Sequence, residues 1–367
     1  MKVVFINAPT SLKAPPLTWS HDLTLELSVE EQRGHPVGCI DNALYRLDLE
    51  VLKNSVGKLE PDRIVIYGGF EQYRFIKEYL GAFPDAIVMG LPTEPYQPRL
   101  DLLIEVGAIP PEKPDDLPYP AWNFIPIEDY FRNSSLPYTL ETMAIERRAV
   151  FKSRWGDREQ SPGYIADALR YLKLHYNFDF MVFEDDLSMN KDRTYKLIEE
   201  LEKRDMLGLF GWGCRANIKN IDRNLLTAFR EARCAFVDFG ELDVIDTRDA
   251  AIMERTQSAV NASRATEIYP IIKPTIGHPD TEREDLMSML KFLKGNKLET
   301  RSEILEPYPG TPLFEKVKHE VEDVGKHILQ INESFANFTR WTDEELLGIV
   351  ELMAHGDLER VERVRRA

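Results

Sequence analysis

Residues 162–205 read PGYIADALRYLKLHYNFDFMVFEDDLSMNKDRTYKLIEELEKRD. Apolar residues recur at helical spacing over 162–176, and the run FDFMVFEDD (178–186) is typical of a buried strand. RTYKLIEELEKRD (193–205) has the helical pattern again. A strand enclosed by two helices is the unit of a parallel sheet, because parallel strands need a long crossover connection.

The same alternation continues toward the carboxyl terminus. Apolar runs end in CRAN (214–217), GELD (240–243) and TIGHPD (275–280), and a helical pattern follows each of them. Repeated strand–helix units with right-handed crossovers predict an α/β fold whose parallel sheet curls into a partial or full (β/α) barrel. We place this barrel at 136–315 and expect C-terminal helices over 316–367.

A smaller unit precedes the barrel. VVFIN (3–7), RIVIYGG (63–69) and AIVMG (86–90) read as buried parallel strands with helical segments between them. They predict a small Rossmann-like α/β domain over 1–95. Residues 96–135 are rich in proline, which predicts an extended linker.

Charge and hydropathy exclude several functions. The chain has 367 residues and a formal net charge of -16, so its bulk charge does not suit nucleic acid or an anionic membrane surface. No apolar run approaches the roughly 20 residues of a membrane span, and the start does not resemble a signal peptide. We expect a soluble, cytoplasmic protein that acts on a small molecule.

Barrel enzymes carry their reacting groups at the carboxyl ends of the strands. That rule selects Glu184, Asp185 and Asp186, three carboxylates that repel one another unless an amine, a metal or arginines share them. The alternative is a solvated loop that caps a helix. The same rule selects four further residues, Arg215, Glu241, Gly277 and His278. His278 is a possible base, although a single histidine more often makes a structural hydrogen bond.

In this order, the motifs resemble the radical S-adenosylmethionine superfamily, in the branch with an N-terminal cobalamin-binding domain. PDDLPYPAWNFIPIEDY (114–130) looks like the linker before the catalytic barrel, and FMVFEDDLSMNKDR (180–193) looks like the second barrel strand with its loop. TIGHPDTERED (275–285) and EPYPGTPLFEKV (306–317) look like the last two strand ends.

The resemblance implies an S-adenosylmethionine site. Glu184 and Asp185 would meet the methionine amine, Arg215 the carboxylate, Glu241 the ribose, and Gly277 the adenine. Asp186 and His278 stay as catalytic candidates. For cobalamin the implication is weaker, because the first unit is short and has no Asp-x-His-x-x-Gly loop.

The chain departs from the family at its hallmark, a CxxxCxxC loop after the first barrel strand. Laid on this sequence, the three cysteine positions are Ala149, Ser153 and Gly156. Clusters of this kind are held by thiolates, so we predict that the chain has no 4Fe–4S cluster. Its three cysteines lie elsewhere, at Cys39, Cys214 and Cys234.

The loop is basic instead. Its cations Arg147, Arg148, Lys152 and Arg154 are expected to overhang the acidic strand end. They either pair with those carboxylates and fill the site, or bind an anionic group of the substrate.

Three functions remain open. The first is non-radical methyl or alkyl transfer from S-adenosylmethionine to a small anionic substrate. The second is a non-catalytic partner of an active homologous protein. The third is an enzyme with a non-cluster metal at Glu184–Asp186 and His278, although no motif with metal-ligand spacing supports a metal site.

Overall fold

The computed structural model describes residues 1–10, 18–91, 113–133, 147–155, 158–356 and 360. The chain forms two compact units, which we describe separately. The first contains residues 1–135, 154–160 and 307–336, and the second contains 136–153, 161–306 and 337–367.

The first unit contains a four-stranded parallel sheet. Its strands are β1 (Val3–Asn7), β2 (Val37–Asp41), β3 (Arg63–Tyr67) and β4 (Ile87–Met89), in the order β2-β1-β3-β4. All five residues of β1 are buried, as expected for a central parallel strand. The helices before the linker are α1 (His21–Gln32), α2 (Asn42–Tyr45), α3 (Leu49–Leu59) and α4 (Tyr73–Ala82).

The described part of the predicted linker packs into this unit. Helix α5 (Ile127–Asn133) brings the hydroxyl of Tyr130 to the buried carboxylate of Asp41, at 2.7 Å. The backbone N–H of Ala121 donates to the carbonyl of Thr24 over 2.9 Å. Apolar and aromatic residues between the prolines, such as the buried Trp122, explain why the segment packs.

Residues 307–336 also belong to the first unit. They form α11 (Pro312–Val317) and α12 (Val324–Glu333), numbered in chain order after the helices of the second unit. Phe314 and Ile328 share a hydrophobic core with Ile76 of α4. The unit also contains a two-stranded antiparallel pair, β6 (Arg154–Trp155) and β7 (Arg158–Glu159).

The second unit is the predicted barrel, present as a six-stranded parallel half-barrel. Its strand order follows the sequence: β5 (Arg148–Phe151), β8 (Phe180–Asp186), β9 (Gly211–Arg215), β10 (Cys234–Asp243), β11 (Tyr269–Ile276) and β12 (Glu303–Ile304). The crossovers contain α6 (Pro162–Tyr176), α7 (Lys191–Lys203), α8 (Arg223–Glu231), α9 (Ala250–Ala265) and α10 (Arg283–Gly295), and α13 (Asp343–Ala354) follows later. The predicted fold class is therefore confirmed.

The two faces of this sheet differ. Trp212 lies edge-on to Phe229 of α8 and to Phe183, so these side chains face the helices. Side chains alternate along a strand, which places Phe180 on the opposite, inner face. There its ring stacks with Phe236, with centroids 5.8 Å apart and an interplanar angle of 13°.

Candidate functional site

The candidate site is the carboxyl end of the half-barrel's inner face. Alternation from Phe180 places Glu184 on this face. Arg215 pairs directly with Asp238 in the β9–β10 ladder, and Lys273 forms an ion pair with Asp238, so these three residues share the inner face. The site therefore contains charges from four successive strands, β8 to β11.

Asp185 holds the loop that follows β5. The backbone N–H of Ser153 donates to the carboxylate of Asp185, and Arg193 donates to the carbonyl of Ser153 over 3.0 Å. Both Ser153 and Asp185 are buried. Burial raises the pKa of Asp185, and the bond from Ser153 with the charges of Arg193 and Lys152 opposes that rise. Asp185 therefore has a structural partner where a ligand amine was expected.

Arg148 faces the neighbouring carboxylate. It begins β5, is buried, and has its pKa lowered to about 10 by burial, while the negative charge of Glu184 opposes that shift. A buried guanidinium needs such a compensating charge. The charges of Arg148 and Lys152 thus act on Glu184 and Asp185, respectively.

Two other members of the predicted anion site have different partners. Arg147 is at the amino end of β5, where its guanidinium donates to the carbonyls of Tyr176 and Asn177, the latter over 3.0 Å. These carbonyls end α6, where a cation is favourable. Arg154 belongs to the first unit, 4.0 Å from the carboxylate of Glu159. The structure does not bring Arg147 to the carboxyl edge, which corrects its predicted position.

Asp186 organises the turn after β8. Its carboxylate accepts hydrogen bonds from the backbone N–H of Ser188 over 2.8 Å and from the Ser188 hydroxyl over 2.5 Å. The Ser188 hydroxyl accepts in turn from the backbone N–H of Asn217 over 2.8 Å. Asp186 thereby connects the loops after β8 and β9.

The sequence did not identify the ion pair between Asp238 and Lys273. The Lys273 ammonium lies 3.1 Å from one Asp238 oxygen, and the backbone N–H of Gly240 donates to the other over 2.8 Å. Gly240 has φ +81° within a bulge of β10, a backbone geometry that favours glycine. The glycine was visible in the sequence, but the register that brings Lys273 to Asp238 was not.

Beyond the bulge, Glu241 lies opposite Lys273 in the β10–β11 ladder. The structure exposes Glu241. Arg215 is exposed as well. Within the described part of the chain, neither side chain makes a hydrogen bond or an ion pair, which distinguishes them from Asp238, Lys273 and Asp185.

Gly277 and His278 follow β11. Gly277 has φ +151°, and a Cβ there would lie 2.8 Å from the carbonyl oxygen of Leu305. The glycine therefore allows the chain after β12 to approach. His278 accepts a hydrogen bond at Nδ1 from the backbone N–H of Asp280 over 3.2 Å. This contact is the structural hydrogen bond that the sequence gave as the alternative to a catalytic histidine.

Two carboxylates at the end of β10 and just after it have raised pKa values. Burial and the charges of Asp246 and Asp285 raise the pKa of Asp243 to about 6. Burial also raises the pKa of Asp246, with Asp249 adding to the rise and His278 opposing it. Asp243 accepts a hydrogen bond from the backbone N–H of Ile245, so this carboxylate also fixes the turn after β10.

The residues present do not fit an iron–sulfur cluster. Ala149 is the second residue of β5, inside the strand, whereas the hallmark alignment placed it in the following loop. The apolar run from Ala149 to Phe151 explains the longer strand. Cys214 and Cys234 are buried within β9 and β10, and no cysteine occurs between Cys39 and Cys214 in the sequence. Burial raises the pKa of the Cys214 thiol, which disfavours a thiolate.

Among the described residues, no three His, Cys, Asp or Glu side chains are grouped so as to hold a metal ion. Helices long and apolar enough to cross a membrane are likewise missing from the described ranges.

Solved structures share this fold. A radical S-adenosylmethionine methyltransferase, TsrM from Kitasatospora setae, with cobalamin and a 4Fe–4S cluster bound, matches with a TM-score of 0.62 and 14% identity over 87% of this chain and 78% of that chain. TsrM with tryptophan substrate and the analogue aza-S-adenosylmethionine matches with a TM-score of 0.60, 14% identity, and coverage of 87% and 76%.

A third match is the cobalamin-dependent S-adenosylmethionine radical enzyme OxsB with aqua-cobalamin and S-adenosylmethionine bound. Its TM-score is 0.57 at 11% identity, over 93% of this chain and 58% of OxsB. This chain therefore spans little more than half of OxsB. No family model and no curated protein sequence matches the chain. The chain thus has the fold of cobalamin-dependent radical S-adenosylmethionine enzymes.

Proposed function

We propose that the half-barrel binds S-adenosylmethionine at its carboxyl edge without a 4Fe–4S cluster and transfers its methyl group, or another alkyl group, by a non-radical route. The observation that carries the proposal is the row of charged residues at three successive strand ends, Glu184, Arg215 and Glu241. Arg215 and Glu241 are exposed and available to a ligand. Solved structures with this fold are described with S-adenosylmethionine or an analogue of it bound.

The donor atoms suit this ligand. Carboxylates accept from an ammonium or from ribose hydroxyls, and a guanidinium donates to a carboxylate. Gly277 supports the close approach of Leu305 at the end of β11, where the adenine would lie by resemblance. Asp185 is not assigned to the ligand, because the Ser153 backbone occupies it.

The absence of cysteine from the loop supports the non-radical route. Formation of a radical from S-adenosylmethionine would need an electron from a cluster. The residues at the three cysteine positions, Ala149, Ser153 and Gly156, offer no thiolate to hold one. Gly156 lies outside the described residues. In direct transfer, a lone pair of the substrate attacks the methyl carbon. The carbon–sulfur bond then breaks, its electron pair stays on sulfur, and the nucleophile loses its proton to a base.

His278 and Asp186 remain the proposed catalytic residues. Nδ1 of His278 accepts from the Asp280 backbone, so the ring proton of a neutral imidazole is on Nε2; His278 takes the substrate proton at Nδ1 once the contact with Asp280 is released. Asp186 would position the loops after β8 and β9 through Ser188. Of the four cations predicted to bind an anionic group of the substrate, Arg148 and Lys152 remain the candidates.

Isothermal calorimetry tests this proposal. S-adenosylmethionine and S-adenosylhomocysteine should bind the iron-free protein in the micromolar range, and Glu184→Gln should weaken binding by about tenfold. Glu199→Gln, on the exposed surface of α7, is the matched control and should not change binding. If millimolar S-adenosylmethionine produces no binding heat, the proposal is wrong.

A second candidate is a non-catalytic partner of a homologous enzyme. The burial of Ser153 against Asp185 and of Arg148 near Glu184 favours it, because these contacts occupy part of the acidic strand end. Co-purification from the native source should then recover a homologous protein in a stable complex. Recovery of the chain without any homologue would remove this candidate.

Cobalamin is not part of the proposal. In the first unit, the carboxyl ends of β1 and β2 carry Asn7 and Asp41, which hydrogen-bond to each other over 2.8 Å. Tyr130 occupies the other Asp41 oxygen. Both oxygens of Asp41 therefore already have side-chain partners.

A further inference from the structure

Among the described residues, the inner face of the half-barrel carries exposed charges of both signs that have no partner. Glu184 faces the guanidinium charge of Arg148, and Asp238 pairs with Lys273. The described contacts leave three charged residues of this face uncompensated, Arg215, Glu241 and, opposite Thr275 on the edge strand β12, Glu303. Arg215 and Glu241 lie on the neighbouring strands β9 and β10, and a ligand that contacts both must carry both signs of charge.

The β10 bulge sets the spacing of these two charges. Asp238 is level with Arg215 in one ladder and with Ile271 in the other, while Glu241 is level with Lys273. Glu241 thus lies two residues of β11 beyond Arg215, on the neighbouring strand. At about 3.3 Å per residue and about 4.8 Å between strands, their Cα atoms are about 8 Å apart. This separation allows both side chains to approach one small group from opposite sides.

We infer that Arg215 and Glu241 together bind an α-amino-acid group, Arg215 its carboxylate and Glu241 its ammonium. The inference rests on the proposed function and revises it, because resemblance assigned Glu241 to the ribose and the acidic strand end to the amine. Guanidinium binds a carboxylate through two parallel hydrogen bonds, and Glu241 accepts from an ammonium.

The surroundings fit such a head group with an apolar remainder. Below the charges, toward the amino ends of the strands, Val182, Tyr269 and Ile271 are half-buried against the stacked rings of Phe180 and Phe236. The amino-acid group therefore lies at the charged rim, beside an apolar surface. Its source is either the methionyl part of S-adenosylmethionine or a free amino acid.

Binding of three probes to the full chain separates these sources. The probes are S-adenosylmethionine, L-methionine, and 5′-methylthioadenosine, which has the nucleoside but no amino-acid group. Arg215→Ala and Glu241→Gln should each weaken the binding of S-adenosylmethionine and L-methionine by about tenfold or more. The binding of 5′-methylthioadenosine should not change. Arg215→Lys, which keeps the charge but not the two parallel hydrogen bonds, should give an intermediate loss.

Lys219→Ala is the matched control, because it removes an exposed cation from the loop after β9. If S-adenosylmethionine binds the wild type and both variants alike, or no tighter than 5′-methylthioadenosine, the inference is overturned while the proposed function stands. If only L-methionine binds, and its binding depends on both Arg215 and Glu241, the inference stands and the proposed function fails. If neither amino-acid probe binds, both are overturned.

Discussion

The backbone N–H of Ser153 donates to the buried carboxylate of Asp185, which fastens the loop after β5 to the end of β8. The contact links a residue at a hallmark cysteine position to a residue that the resemblance assigns to the ligand. It fixes the position of the loop after β5 through a protein contact. The structure therefore gives Asp185 a positioning role.

Removal of this carboxylate should destabilise the second unit. Asp185→Ala leaves the buried Ser153 N–H without an acceptor, and we expect the free energy of unfolding to fall by about 1–3 kcal/mol. Asp185→Asn keeps an acceptor oxygen and should cost less. Urea denaturation measures both changes. Glu241→Ala, at an exposed residue without a partner, should change the free energy of unfolding by no more than about 0.5 kcal/mol. If Asp185→Ala costs no more than Glu241→Ala, the contact between Ser153 and Asp185 does not have this role.

The acidity of Asp243 predicts a pH-dependent stability. The pKa of Asp243 in the folded state is raised from 3.8 to about 6. The stability that the protonated carboxyl contributes to the folded state is therefore complete below about pH 3.8 and is lost as the pH rises through about 6. Asp243→Asn does not titrate and keeps a capping oxygen. Its stability relative to wild type should therefore rise by about 1–2 kcal/mol between about pH 4 and about pH 8. Urea denaturation at several pH values would show a constant difference if this interpretation is wrong.

The approach of Leu305 predicts a large cost for a side chain at Gly277. Gly277→Ala places a methyl group 2.8 Å from the Leu305 carbonyl oxygen at φ +151°, and we expect a loss of about 2–4 kcal/mol. Gly295→Ala is the control, because a Cβ there meets nothing within 4 Å and the residue is helical. It should be neutral or stabilising by up to about 1 kcal/mol. Similar melting temperatures for both variants would refute the predicted clash.

Gly213 provides space for an aromatic ring. Its Cβ would lie 2.3 Å from the ring of Phe236, so Gly213→Ala should lower the free energy of unfolding by about 1–3 kcal/mol. Phe236→Leu should recover part of that loss in the double variant, because it removes the atoms that clash. A double-mutant cycle measures the coupling. Additive effects would show that the two residues do not contact one another.

The sequence predicted the half-barrel because each strand–helix repeat has its own hydrophobic period, and right-handed crossovers then determine the strand order. It also placed Glu184, Arg215 and Glu241 at strand ends, where the structure has them. These predictions depend on local patterns that a single segment contains.

Contacts between segments were not predictable in the same way. The ion pair of Asp238 with Lys273 depends on strand register, and the donor to Asp185 is a backbone group that no residue type reveals. Arg147 was assigned to the site from its place in a basic run, although its position at the start of β5 directs it to the end of α6. The return of residues 307–336 to the first unit likewise depends on packing against α4.

The proposed function requires that S-adenosylmethionine binds without a cluster. The most direct test compares S-adenosylmethionine binding by protein as purified and after anaerobic incubation with iron and sulfide, with bound iron measured in both samples. We predict the same micromolar affinity and no stoichiometric iron in either sample. Stoichiometric iron and sulfide, with binding only after that incubation, would contradict the account.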